Sequence, residues 1–192
     1  AGRFTTQDSH ESVDKAAWQK FMDLLKQYRK QRPINGAMVA VSITDIMALS
    51  DHERANYAHT IRSRIDELTK QLGIRFPVYF MFTKCDLVAG FSEFFAHLNA
   101  DERAQVWGET FALGSADKTA GIEEYPQHFD QLISRLKGQV LTRVNQELDV
   151  KLRAAVLGFP AQMASLRDPI ALFLRDVFSA NRYQQSALLR GV

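Results

Sequence analysis

Apolar residues recur at three- and four-residue spacings over Trp18, Phe21, Met22, Leu25 and Tyr28, which predicts a helix from Ser12. Lys26, Arg29, Lys30 and Arg32 suit its C-terminal end, Pro33 stops it, and Asn35-Gly36 turns the chain. Residues 37–43 form a short apolar run without polar alternation, the pattern of a strand buried on both faces of a parallel sheet. Ser50 and Glu53 have capping-box spacing, and the helix they start carries Ala58, Ile61, Ile65, Leu68 and Leu72 on one stripe until Gly73 closes it. Residues 76–82 repeat the buried-strand pattern, with Pro77 tolerable at the beginning of a strand. A short helix around Phe91, Phe94, Phe95 and Leu98 follows, then a third expected strand at residues 106–113 and a flexible stretch over residues 114–121. A helical stripe runs from Phe129 to Val156 and is expected to break at Gly158-Phe159-Pro160. Further helix follows to Phe178, bent at Pro169. Helices alternating with strands predict an α/β fold whose parallel sheet is covered by helices on both faces. The all-helical tail beyond about Asp149 reads as a separate subdomain or cap.

Composition narrows the class. The 192 residues are 46% hydrophobic and 24% charged, which excludes a disordered tail or a disulfide-stapled scaffold. No apolar run approaches the ~18–20 residues that a membrane helix needs. The single cysteine, Cys85, has no internal disulfide partner, so a reducing compartment fits best. Lys and Arg number 24 against 22 acidic residues, a balance that argues against nucleic acid as a partner. The chain opens Ala1-Gly2-Arg3, with neither an initiator Met nor a secretory leader, and is expected to be a piece of something longer.

The main chemical signal is Thr83-Lys84-Cys85-Asp86, directly after the second apolar strand. Ligands of parallel α/β sheets sit at the C-terminal ends of strands. A carboxylate such as Asp86 can accept two hydrogen bonds from the ring N–H and exocyclic amine of guanine, while the stem of Lys84 lies across the base. The four residues match the [Asn/Thr]-Lys-x-Asp base-recognition motif of P-loop GTPases. The competing reading is a solvated strand-end pair of Lys84 and Asp86. Ala1-Gly2-Arg3 matches the end of a phosphate-sensing Asp-Thr-Ala-Gly-Arg switch, with Gly2 and Arg3 near the terminal phosphate; a cloning remnant explains it nearly as well. Ser115-Ala116 matches the pair that backs the guanine in Ras-like proteins. No Gly-x-x-x-x-Gly-Lys-[Ser/Thr] loop is present, so the triphosphate has no cradle within these residues. No catalytic residue is therefore assigned. The five histidines (His10, His52, His59, His97, His128) lack metal-ligand spacing, and no metal site is assigned either. Cys85 reads as a structural thiol. Arg29-Lys30-Gln31-Arg32 and Arg62-Ser63-Arg64 read as solvated helix surface rather than lipid contacts.

Several segments together resemble one family, IcmF (also called TssM), the large inner-membrane component of type VI secretion systems. They include Ala1-Gly2-Arg3-Phe4-Thr5-Thr6-Gln7-Asp8-Ser9, Arg32-Pro33-Ile34-Asn35-Gly36 and Leu72-Gly73-Ile74-Arg75-Phe76-Pro77-Val78-Tyr79. Further matches are Thr83-Lys84-Cys85-Asp86-Leu87, Ala89-Gly90-Phe91-Ser92-Glu93-Phe94-Phe95, Val106-Trp107-Gly108 and Leu188-Leu189-Arg190-Gly191-Val192. The resemblance implies a partial P-loop-NTPase-like domain: its C-terminal half over residues 1–124, then a helical extension over residues 125–192. It also implies a parent protein tethered in the bacterial inner membrane, with this part soluble on the cytoplasmic face. The implied partners are type VI baseplate proteins and a DotU-like inner-membrane protein. GTP or ATP with magnesium would belong to the complete domain, not to these residues alone. Two readings follow: a structural and interaction module with half of a nucleotide site, or a working GTPase/ATPase switch whose phosphate loop lies upstream. In either case the strand at residues 37–43 lacks a neighbour, and the chain is expected to self-associate there or to cover that edge with its own helical tail.

Base contacts without phosphate contacts leave out most of the binding energy of a nucleotide. The 192-residue chain should bind GTP and ATP no more tightly than millimolar, about −4 kcal/mol. A micromolar dissociation constant by calorimetry would overturn that expectation.

Overall fold

Three parallel strands and the helices around them are seen in a computed structural model that describes residues 11–111, 120–179 and 187–192. Helix α1 (Glu11–Tyr28) precedes strand β1 (Ala37–Ser42), which leads through the short α2 (Ile43–Ala48) into α3 (Asp51–Leu72). Helix α3 begins and ends as its sequence dictates. The Ser50 side chain accepts from the Glu53 amide while the Glu53 carboxylate accepts from the Ser50 amide, and Gly73 closes the helix at φ 66°. Ala58, Ile61, Ile65 and Leu72 are its buried stripe. Strand β2 (Pro77–Thr83), α4 (Phe91–Phe95) and α5 (Ala100–Arg103) follow. Then come α6 (Ala120–Gln146), α7 (Val150–Ser165), α8 (Arg167–Phe178) and strand β3 (Leu188–Gly191).

The sheet order is β1-β2-β3, all parallel. The third strand is not where the apolar run at residues 106–113 placed it. Within that run the described residues make only an isolated antiparallel bridge, Thr110 to Gly191. The chain's last residues take the third position instead, pairing Leu188 with Pro77 and Leu189 with Val78. Residues 109–111 then flank β3 on its far side, where the Glu109 amide donates to the Val192 carbonyl (2.8 Å) and the Phe111 amide to that of Arg190 (2.9 Å).

A second correction concerns the faces of the sheet. Val41, Val78 and Phe80 point into the core, where Phe80 meets the rings of Phe173 and Phe178 on α8 at 5.9 and 6.1 Å. The opposite face is not covered by any described residue to the same degree. Met38 is 69% exposed, Tyr79 40% and Met81 43%, so the expectation of burial on both faces fails. Strand β1 pairs only with β2 among the described residues, leaving it an edge strand as expected. The helical tail packs on the inner face through α8 rather than supplying β1 with a strand partner.

The long helical stripe divides at a different place from the one that Gly158-Phe159-Pro160 suggests. Helix α7 runs through Gly158 and Pro160, and the break falls before Asp149, whose side chain caps α7 by accepting from the Lys151 amide at 2.7 Å. The expected bend near Pro169 is present: α7 stops at Ser165, Leu166 interrupts the helix, and Pro169 lies in the first turn of α8, where its missing N–H costs little. Helices α3, α6, α7 and α8 and the sheet share one hydrophobic core. Arg143 is buried within it and donates from Nε to the Phe94 carbonyl at 2.9 Å, tying α6 to α4.

Phe159 of α7 is fully buried among Phe91, Phe94 and Phe95, with ring centroids 5.0–5.7 Å away. Phe159→Ala removes the centre of that cluster and should destabilise the chain by about 3–5 kcal/mol. Urea unfolding followed by circular dichroism measures it.

Candidate functional site

The candidate site is built by the way β2 ends. Thr83 is the last residue of the strand, opposite Ser42, and its hydroxyl donates to the Val41 carbonyl at 3.3 Å. Lys84 then adopts φ 61° and ψ 31°, the one left-handed non-glycine among the described residues. That conformation is disfavoured for a residue with a Cβ, by roughly 1 kcal/mol or more, and it throws the chain out of the sheet plane. A single 3-10 turn over Cys85–Leu87 follows, closed by Leu87 N–H to Lys84 C=O and Val88 N–H to Cys85 C=O, both 3.0 Å.

Gly90 anchors the far end of this loop. At φ 85° it has the left-handed backbone suited to glycine, and a Cβ there would lie 2.4 Å from the Ala155 carbonyl oxygen. The loop therefore sits directly against α7.

The structure brings Thr83, Lys84 and Asp86 together in this one turn at the C-terminal end of β2. The side chains of Lys84 and Asp86 are exposed, and neither makes a hydrogen bond or ion pair with another described residue. No ion pair joins the two, and their exposure fits the solvated strand end of the competing reading as well as a base site. Both charges are left for solvent or a ligand. Cys85 points the other way: half-buried, it donates its thiol to the Phe82 carbonyl at 3.6 Å. Burial, and secondarily the Asp86 charge, push its pKa up, so it is held as a thiol and not a nucleophile. Gly2, Arg3, Ser115 and Ala116 lie outside the described residues. Among the described residues no group of three or more His, Cys, Asp and Glu could hold a metal ion.

Beside the turn lies a feature that the sequence did not announce, a cavity of about 530 Å³ reaching from Cys85 and Val88 past Trp107 to α6. Its walls are mostly apolar, including Phe82, Phe111 and Phe129. His128 stands on it with Nδ1 3.4 Å from the Glu109 carboxylate. Tyr125, also on its wall, buries a hydroxyl that has no hydrogen-bond partner among the described residues. These residues come from segments far apart in the chain, so no local spacing could have revealed them.

The family model of the IcmF-related N-terminal domain matches residues 11–192. The type VI secretion system component TssM1 of Pseudomonas aeruginosa is 52% identical over 193 residues, an alignment covering all of this chain and 18% of that relative. The chain thus spans about a fifth of the length of the relative it matches. No solved structure matches it.

Burial raises the pKa of Tyr57 and Tyr125 as well as that of Cys85. The folded state then holds protons that the unfolded chain releases above its ordinary values, 9.0 for cysteine and 10.0 for tyrosine. Stability contributed by these groups is fully present below about pH 9, begins to fall as the pH passes the ordinary cysteine and then tyrosine values, and goes on falling toward the raised folded-state values. Urea midpoints should therefore fall between about pH 8 and about pH 10.5, and Cys85→Ala should remove the first part of the fall. A midpoint unchanged over that range would refute the assignment.

Proposed function

This chain belongs to the IcmF-related family, and from that premise we propose that it is an interaction module of a type VI secretion membrane-complex protein, carrying the base-recognition half of a nucleotide site. The observation that carries the reading is the identity with TssM1, which runs through the whole chain at 52%. The partners it implies are type VI baseplate proteins and a DotU-like inner-membrane protein, met at the cytoplasmic face. No helix of the described residues is long and apolar enough to cross a membrane. In this reading the inner-membrane tether belongs to the rest of the longer protein, as do the activities of the whole.

The residues present fit the base of a nucleotide and not its phosphates. Asp86 offers an exposed, unpaired carboxylate, Lys84 an exposed ammonium on a long apolar stem, and both stand at the strand end where α/β sheets take ligands. The P-loop-NTPase likeness of the sheet is part of the same proposal. Its parallel order and the turn after β2 support it. Bound GTP or ATP with magnesium would need a phosphate cradle supplied from outside these residues. A working GTPase/ATPase switch is the second reading, favoured by the freedom of Lys84 and Asp86 from structural partners.

Two experiments separate the parts of this proposal. Deleting residues 11–192 from the complete protein should abolish type VI secretion in the host bacterium; retained secretion defeats the module reading. In calorimetric titrations of the complete protein, Asp86→Ala should weaken GTP at least tenfold more than ATP, since a hydrogen bond to a charged group contributes roughly 1.5–3 kcal/mol. Equal losses, or no nucleotide binding by the natural protein, defeat the base-site part alone.

A further inference from the structure

Strand β2 has different neighbours along its two edges. On the β1 side it is paired through to its end, with Thr83 opposite Ser42. On the β3 side the pairing stops at Tyr79 opposite Gly191, so residues 80–83 have no strand beside them among the described residues. The cavity lies along this open edge. Tyr79, Phe80, Met81 and Phe82 line it, and so do residues 106–110.

The course of β3 explains why those two walls stand apart. Where β3 is present, it lies between β2 and residues 109–111. Gly191 is opposite Tyr79 on one side, while Val192 exchanges two hydrogen bonds with Glu109 on the other, at 2.8 and 3.0 Å. The fit is close: a Cβ on Gly108 would lie 2.6 Å from the Val192 carbonyl oxygen. Beyond Val192 the same walls continue, β2 up to Thr83 and the other segment back to Val106, but the space between them is the cavity.

We propose that this cavity is a strand slot, filled by an extended segment in line with β3, parallel to β2 and antiparallel to residues 106–108. Its occupant is the polypeptide that follows Val192 in the longer protein. The alignment covers only 18% of the relative, and the matching family model is that of an N-terminal domain, so the family carries further chain to supply it. Strand β3 already points into the slot, which makes continuation the entry of lowest entropic cost. At about 3.3 Å per residue, the open edge of β2 takes three or four residues. The register sets Val192 beside Phe80 and the second residue after it beside Phe82, so that second residue should be apolar. The proposal is independent of nucleotide binding and stands or falls without it.

Hydrogen exchange read by mass spectrometry tests it on three polypeptides: the natural longer protein, the chain ending at Val192, and the longer protein with eight residues after Val192 replaced by a Gly-Ser sequence. Amides of residues 80–83 and 106–108 should exchange roughly tenfold more slowly, or slower still, in the natural protein than in the other two. Protection of α3 (Asp51–Leu72) should be the same in all three and reports the intact fold. Equal exchange at residues 80–83 in the natural and shortened chains overturns the proposal. So does protection that survives the Gly-Ser replacement or appears only when a separate protein is added. In the natural protein, Gly108→Val should loosen residues 80–83 while sparing α3, and unchanged protection there overturns the proposal as well.

Discussion

The packing of Phe80 against α8 is the contact on which the arrangement depends. Phe80 is nearly fully buried at the middle of the central strand, with Phe173 and Phe178 edge-on to it, and Tyr57 of α3 reaches the same Phe173 ring at 5.6 Å. One aromatic group therefore fastens sheet, α3 and α8 together. Aromatic pairs of this kind contribute about 0.5–1.5 kcal/mol beyond the area they bury. Their geometry also fixes the direction of β2, and with it where Thr83 ends and Lys84 turns. The candidate ligand groups are exposed, but the strand that carries them is anchored in the buried core.

A second clamp holds the other end of the loop. Gly90 approaches α7 more closely than any side chain would permit, and the rings of α4 surround Phe159 just beyond it. The turn carrying Lys84 and Asp86 is thus suspended between a strand and a helix, both anchored in one core. Such suspension fixes the backbone from which the two side chains extend, while neither side chain has a partner among the described residues.

Much of this was legible in the residues. The Ser50–Glu53 cap, the Gly73 stop and the start of β2 near Pro77 rest on local chemistry and lie where the pattern put them. Both apolar strands emerged at their places, and so did the site turn after the second. What failed was non-local. An unbroken apolar run does not reveal whether its second face is covered, and Met38, Ala40 and Met81 look no different from core residues until the helices are placed. Residues 106–111 and 188–191 are both short apolar segments able to lie beside β2, and only tertiary packing chose between them. The break at Asp149 was hidden because its capping signal sat inside a continuing stripe, while Pro160 drew attention to a helix that carries on through it. The left-handed Lys84 has no signature in sequence at all. The cavity joins Trp107, His128 and Phe82 from three separate segments of the chain, so it too had none.

The origin of β3 also sets the order in which the molecule can be made. Its register places Leu188 opposite Pro77, with α4 through α8 synthesised between the two. A ribosome that has released β1 and β2 has released only a parallel pair, whose outer edge waits while five helices emerge. Pairing across so long a separation is slow to form, because the intervening chain must first be ordered. Until then the apolar edge of β2 is open to any other extended chain in the cell, and a chaperone or rapid docking of the helices must guard it. Of the three described strands, β3 is made last, and it gives the start of β2 its second neighbour.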